Sequence, residues 1–200
     1  FTPKVIENCS EFGITLAPVT LHVGLGTFQP VTAEHTHEHK MHEELFQIPM
    51  ATTERILNHL DHGWPIVFVG TTSLRCVESA FLLAQRIDIN RAGSSFRDSV
   101  KNHWDVKRGE VSSALRALSD QWHKTDLFIQ PANEEFRYSP QCGDAIVTNF
   151  HQPESTLTML IASLLGYSSW RELYDYAVQA EYRLFSYGDS SLLIFPDALK

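Results

Sequence analysis

The stretch "PIVFVGTTSLRCVESAFLLAQ", from Pro65 to Gln85, constrains the fold more than any other part of the chain. Five residues, Pro65–Val69, form a short continuous apolar run that reads as a buried strand. The run enters a Gly-Thr-Thr-Ser turn and leaves as a helical pattern from about Ser73. A strand that feeds a helix through a glycine turn is the unit of α/β architecture, and the remaining pattern agrees. "FTPKVIENCSEFG" reads as a helix with Thr2 as cap, Pro3 in the first turn, an apolar face of Val5, Ile6, Cys9 and Phe12, and Gly13 at its end. "ITLAPVTLHV" alternates as a strand in which Pro18 predicts an edge or a bulge. Leu45–Ile48, "DLFIQP", "DAIVTNF" and "SLLIF" read as further strands. Ala51–Asp61, Glu154–Leu165 and Ser169–Ala180 read as helices. The expected fold is a single α/β domain over residues 1–200, with a mixed, mostly parallel sheet and flanking helices.

Composition narrows the class. Two hundred residues, 43% of them hydrophobic, can bury an ample core. The longest apolar stretch, Leu157–Leu165, is too short to cross a bilayer and carries Thr158 and Ser163. No basic region followed by an apolar one marks a signal peptide at the N-terminus. Cys9, Cys76 and Cys142 are widely spaced and without a CxxC pair, as expected of reduced thiols in a cytoplasmic protein. A net charge of −8 argues against a generic nucleic-acid binder. Residues 86–124 depart from that balance, with eight Lys/Arg against five Asp/Glu, and read as an insertion. A solvated surface excursion explains the segment more simply than an RNA-binding element built on Arg97, Lys101, Lys107 and Arg108.

Several constellations carry chemistry. "LHVGLGTFQPVTAEHTHEHKMHEE" holds half of the ten histidines. His35, His37 and His39 alternate, but no HExxH spacing is present, and a polar loop explains His35 and His37 better than metal ligation does. "HKMHEE" places His39 and His42 beside carboxylates, an arrangement suited to holding an imidazole near neutral pKa. In "VGTTS", backbone N–H groups at a helix start can receive a carboxylate or phosphate; an ordinary turn capped by Ser73 is the competing account. Arg75 and Glu78, three apart, can form an ion pair. "VTNFHQPEST" puts Asn149, His151, Ser155 and Thr156 where a strand ends and a helix begins, the edge at which open α/β sheets bind ligands. "FSYGDSSLL" places Tyr187 and Asp189 around a glycine, which also suits a tight turn with an Asx bond.

In this order, "VTLHVGLGTFQPV", "HKMHEE", "VGTTSLRCVES", "TDLFIQP", "DAIVTNFHQPESTLTMLIAS" and "EYRLFSYGDSSLL" resemble the signature blocks of the S-adenosylmethionine:tRNA ribosyltransferase-isomerase family of the queuosine pathway. The resemblance covers nearly the whole chain except the basic segment. It begins in the middle of the family pattern, so it implies that the family's N-terminal segment is absent here and is supplied by the same or another chain. "IQPANEEF", "NFHQP" and "YGDSSLL" stand where the family commonly has "IYPGYxF", "NFHLP" and "YGDAML", which puts contacts from the first of these loops in doubt.

The resemblance implies transfer and rearrangement of the ribosyl part of S-adenosylmethionine onto 7-aminomethyl-7-deazaguanine in tRNA, giving epoxyqueuosine, adenine and methionine. S-adenosylmethionine is then a co-substrate and tRNA the partner, with no metal, no other cofactor and no membrane. The implied proton-transfer residues are His42, His39, Glu44 and His151, with His42 favoured because Glu44 and the glycine-rich loop are near it. The implied substrate-binding residues are His22, Gly24, Gly26, Thr27, Phe28 and Met41; Gly70, Thr71, Thr72, Ser73, Arg75 and Glu78; Thr148, Asn149, Ser155 and Thr156; and Tyr187, Gly188 and Asp189. The glycine-rich, "VGTTS", "TNFH" and "YGD" blocks are expected to converge on one cleft. A binding-only module that recognises S-adenosylmethionine or tRNA without turnover is the alternative.

Overall fold

The computed structural model describes residues 1–24, 41–89, 104–131 and 137–195. His35, His37, His39, Gly26, Thr27, Phe28, Arg97 and Lys101 lie outside them. Helix α1 (Pro3–Glu11) starts as its sequence dictates, with Thr2 Oγ1 accepting from the Val5 N–H at 3.4 Å. Its expected apolar face, Val5, Ile6 and Phe12, is exposed. Strand β1 (Thr20–His22) is shorter than the alternation over "ITLAPVTLHV" suggests. Pro18 has no N–H for a ladder, and its carbonyl instead accepts from Thr52 Oγ1 at 2.7 Å, while the Leu16 carbonyl accepts from Arg55.

The chain continues through β2 (Glu44–Gln47), α2 (Met50–His62), β3 (Val67–Val69), α3 (Thr71–Ile89) and α4 (Trp104–Leu118). It then forms β4 (His123–Thr125), β5 (Ala145–Asn149), α5 (Thr156–Leu165), α6 (Tyr167–Gln179) and β6 (Ser190–Ile194). None of these helices is long and apolar enough to cross a membrane.

The class is α/β, with two three-stranded sheets ordered β1-β2-β4 and β3-β5-β6. The expectation of a mostly parallel sheet gives way. Among the described residues only β3–β5 is parallel, and β1–β2, β2–β4 and β5–β6 are antiparallel. For β6 the reason is the connection. One crossover helix returns the chain to a parallel start, but two helices, α5 and α6, lie between β5 and β6 and reverse it once more.

"DLFIQP" is also not a strand. The ladder falls one step earlier, at β4, and the following backbone is satisfied by side chains. Thr125 Oγ1 accepts from the Leu127 N–H at 3.1 Å, and the Leu127 carbonyl accepts from Arg75 Nε at 3.2 Å. Helix α4, inside the segment 86–124, is a packed element rather than a solvated excursion. It lies on α3 and α2 and buries Val111, Ala114 and Leu115.

Helix α3 packs on β1 of one sheet and on β3 and β5 of the other. It buries Leu74, Cys76, Val77, Ala80, Phe81, Leu82 and Ala84, so one helix is the seam between the sheets. Two charged residues of α3, Arg75 and Glu78, are buried in this seam. Arg75 Nη1 lies 2.7 Å from Glu44 Oε2 on β2, with side chains 4% and 1% exposed. Glu44 Oε1 also accepts from the Gly24 N–H at 2.8 Å. Glu78 is fully buried and takes three donors: Tyr138 Oη at 2.6 Å, the Gln141 N–H at 2.8 Å, and the Cys142 N–H. Arg75 and Glu78 therefore have separate partners and do not form the ion pair that their spacing suggests.

Removing one member of a buried pair leaves the other charge uncompensated, at a cost of about 3–5 kcal/mol. Glu44→Met is therefore expected to lower the free energy of urea unfolding by about that much, with Glu44→Met/Arg75→Met recovering most of the loss. A single variant as stable as the unaltered chain would show that the pair does not set the seam.

Glu78 gives a second outcome. Burial pushes its carboxyl up to about 7 against an ordinary 4.5, although three hydrogen bonds oppose the shift. The folded state thus favours the protonated form. This contribution to stability is fully present below about 4.5 and is lost as pH rises through about 7. Unfolding measured across that window should show the fall in the unaltered chain and a flatter course in Glu78→Gln.

Candidate active site

An open cleft of about 600 Å³ lies at the ends of β3 and β5. Its first wall is the turn from β3 into α3. Gly70 has φ +84°, a left-handed conformation that glycine adopts without strain, and its N–H donates to the Val147 carbonyl at 2.8 Å. The helix begins directly at Thr71, three residues earlier than a Ser73 cap predicts. Gly70, Thr71 and Thr72 line the cleft. Ser73 does not, because its hydroxyl donates back to the Val69 carbonyl at 2.7 Å.

The second wall is the end of β5 and the entry to α5, formed by Thr148, Asn149, His151, Gln152 and Ser155. Ser155 caps α5, its Oγ accepting from the Thr158 N–H at 3.2 Å and donating to the Gln152 carbonyl at 2.7 Å. Thr156 is buried behind it. His151 Nε2 lies 2.9 Å from Thr148 Oγ1, and the His151 N–H donates to Tyr174 Oη at 3.0 Å. Burial lowers the His151 pKa to about 4, so the imidazole is neutral near pH 7.

The third wall comes from the turn before β6, through Phe185, Ser186, Gly188 and Ser190. Tyr187 is fully exposed and points away from the lining, and Asp189 closes the turn by accepting from the Arg183 N–H at 2.8 Å and Arg183 Nη2 at 3.0 Å. Val23, after β1, together with Phe1 and Leu157, also lines the cleft.

Three of the four blocks expected to converge are therefore together: Gly70–Thr72, Thr148–His151 and Gly188. The glycine-rich block reaches the cleft at Val23, one residue before Gly24. Gly24 itself is held by Glu44. The other expected residues lie elsewhere. Arg75 and Glu78 are buried in the seam, and Glu44 is committed to Arg75 and Gly24. His42 is exposed ahead of β2, Met41 is half-buried beside it, and neither lines the cleft. His22 is exposed and meets Trp122 edge-on, ring centroids 4.8 Å apart. Phe185, Gln152, Ser186 and Ser190 line the cleft although their residue types gave no sequence signal; only adjacency to the Gly188 turn, and for Gln152 to His151, pointed toward them.

The lining has a simple electrostatic character. Among the described residues no Asp, Glu, Lys or Arg side chain contributes to it. The charge comes from backbone dipoles, since the N-terminal ends of α3 and α5 both open onto the cleft and carry partial positive charge. Among the described residues no group of three His, Cys, Asp or Glu side chains is arranged to hold a metal ion.

Comparison with known proteins places this geometry. The family model described as "Queuosine biosynthesis protein" matches residues 1–193. S-adenosylmethionine:tRNA ribosyltransferase-isomerases from Paraburkholderia phytofirmans and Thermotoga maritima are each 37% identical, over 99% and 97% of this chain and 47% of their own lengths. A crystal structure of an S-adenosylmethionine tRNA ribosyltransferase from Thermotoga maritima matches with a TM-score of 0.58 and 31% identity, over 96% of this chain and 49% of that one. The chain spans about half the length of the curated relatives it matches. With nearly all of its residues matched by that family model, the chain belongs to the queuosine biosynthesis protein family.

Proposed function

We propose that this chain builds part of the active site of a cytoplasmic S-adenosylmethionine:tRNA ribosyltransferase-isomerase. The reaction moves the ribosyl part of S-adenosylmethionine onto 7-aminomethyl-7-deazaguanine in tRNA, and yields epoxyqueuosine in tRNA, adenine and methionine. S-adenosylmethionine is the co-substrate, with no metal or other cofactor. The observation that carries the proposal is the meeting of Gly70–Thr72, Thr148–His151 and Gly188 around one cleft that holds a neutral, half-buried imidazole. The names of the relatives, which match this chain at 37% identity, support the same reading.

The chemistry follows from the sulfonium. Positive sulfur acidifies the C5′ hydrogens, and a base that removes one leaves an ylide. Adenine then departs from C1′, the aminomethyl nitrogen of the tRNA base attacks the ribosyl carbons, and epoxide closure expels methionine. His151 suits the proton steps better than His42, because it lines the cleft and is uncharged at working pH. Its imidazolium is disfavoured where it stands, so a proton taken from C5′ passes readily to the departing adenine. Thr148 fixes the ring through Nε2, and Tyr174 fixes the backbone beneath it. The dipoles of α3 and α5 suit the methionine carboxylate.

The test is turnover with precursor tRNA and S-adenosylmethionine labelled in the ribose. The chain is assayed alone and together with the half of the Thermotoga relative that has no counterpart here. Label in tRNA with release of adenine and methionine is expected; transfer of a methyl group instead would overturn the proposal. In the active form, His151→Ala should lower kcat by about 10²–10⁴-fold with little change in S-adenosylmethionine binding. His42→Ala should stay within a few-fold. Because the neutral form is the active one, kcat/KM should hold across pH 6.5 and fall only as pH drops toward about 4. An acid limb near 6.5 in the unaltered enzyme, kept in His151→Ala, would place the base elsewhere.

A further inference from the structure

The turn before β6 meets the cleft through a residue in an unusual backbone state. Phe185 has φ +70°, in the left-handed region that bulky side chains rarely enter. Several contacts hold it there. Its N–H donates to the Phe150 carbonyl at 2.8 Å, its carbonyl accepts from the Gly188 N–H at 2.9 Å, and the Asp189 N–H donates to the Arg183 carbonyl at 2.8 Å. Gly188 allows the closure, since a Cβ there would stand 2.2 Å from the Arg183 carbonyl oxygen. A turn that needed only a left-handed residue would be served by glycine or asparagine. A phenylalanine accepts strain at this point, so the reason lies with its side chain.

That side chain is not in the core. Phe150 and Phe195 are buried, whereas Phe185 is 52% exposed and lines the cleft. The cleft it lines also presents neutral hydrogen-bonding groups, Thr148, Asn149, Ser186 and Ser190, with no charged side chain among the described lining residues. A half-exposed aromatic face beside uncharged donors and acceptors fits a planar heteroaromatic ring with ring nitrogens. It does not call for a phosphate or an alkyl chain.

We propose that Phe185 is the stacking wall for a purine-type ring in this cleft. The inference rests on the proposed function, which supplies two such rings: the adenine of S-adenosylmethionine and the 7-deazaguanine base of the tRNA. The strained turn holds the ring at the mouth of the site before substrate arrives, so little ordering is left to do on binding.

The test uses calorimetric titration of the unaltered chain and of Phe185→Gly, Phe185→Leu and Phe185→Tyr with adenosine, S-adenosylmethionine and precursor tRNA. Phe185→Gly relieves the left-handed strain, so its melting temperature should equal or exceed that of the unaltered chain. Its affinity should nonetheless drop by roughly 5- to 150-fold, the equivalent of one lost stacking contact. Phe185→Leu should lose affinity with it, and Phe185→Tyr should keep it. A loss seen with adenosine and S-adenosylmethionine assigns the wall to adenine, and a loss confined to tRNA assigns it to the modified base. Equal affinity of Phe185→Gly for all three probes would overturn the inference and leave the proposed function standing. Failure of the unaltered chain, alone and joined by the complementing half of the Thermotoga relative, to bind any of them would remove both.

Discussion

One buried ion pair registers most of what surrounds the cleft. Arg75 reaches from α3 to Glu44 on β2 and, through Nε, to the Leu127 carbonyl beyond β4; Glu44 in turn holds the Gly24 N–H beyond β1. Segments that belong to one sheet are thereby fixed to the helix that follows β3 of the other. Such a pair adds little net stability compared with an apolar seam, because both charges have left water. What it does is exclude other arrangements, since any slip of α3 leaves a charge without its partner. Thr71 and Thr72 sit one helical turn before Arg75, and Val23 sits one residue before Gly24. The two sides of the cleft are thus set by the same guanidinium.

Desolvation acts twice more, in opposite senses. Glu78, fully buried, and His151, half-buried, both lack a compensating charge of sufficient strength, and each is pushed toward its neutral form: the acid up to about 7, the base down to about 4. Their effects on stability oppose each other. The Glu78 contribution weakens as pH rises from about 4.5 to 7, whereas the His151 contribution, complete above about 6.5, weakens as pH falls toward 4. Between about 4.5 and 6.5 the two slopes partly cancel. A flat pH profile in that range would be two effects in balance, which single substitutions separate.

The parts of the structure that were legible in the sequence are those decided locally. A glycine before Thr-Thr gives a sharp strand-to-helix turn, and Thr2 with Pro3 starts α1; each signal is complete within a few residues. The partners of Arg75 and Glu78 were not legible. Helical spacing offered each to the other, but Glu44 and Tyr138 arrive from distant parts of the chain and take them first. "DLFIQP" has the composition of a strand and lacks the pairing, because Arg75 and Thr125 claim its backbone. In α4 only a narrow stripe is apolar, so charge concealed a packed helix. In "FSYGDSS" the turn was readable and the direction of its side chains was not. The left-handed backbone at Phe185 turns that ring into the cleft and leaves Tyr187 in solvent.

The absence of charged side chains from the described lining bears on the proposed chemistry. In the proposed reaction the substrate arrives as a sulfonium cation and must lose a proton to become a neutral ylide. A carboxylate in the lining would stabilise the cation most, and so would bind the ground state better than the transition state. A lysine or arginine would repel the substrate on entry. Backbone dipoles at the ends of α3 and α5 are a milder device, with their partial positive charge fixed in place before the reaction begins. They favour the carbanion character that develops at C5′ and add no full charge beside sulfur. A neutral His151 completes this arrangement. Desolvation, acting without a carboxylate partner, keeps its lone pair available and makes its protonated form short-lived. One half-buried imidazole can then serve both proton steps, because the environment that keeps it uncharged also drives off the proton it takes.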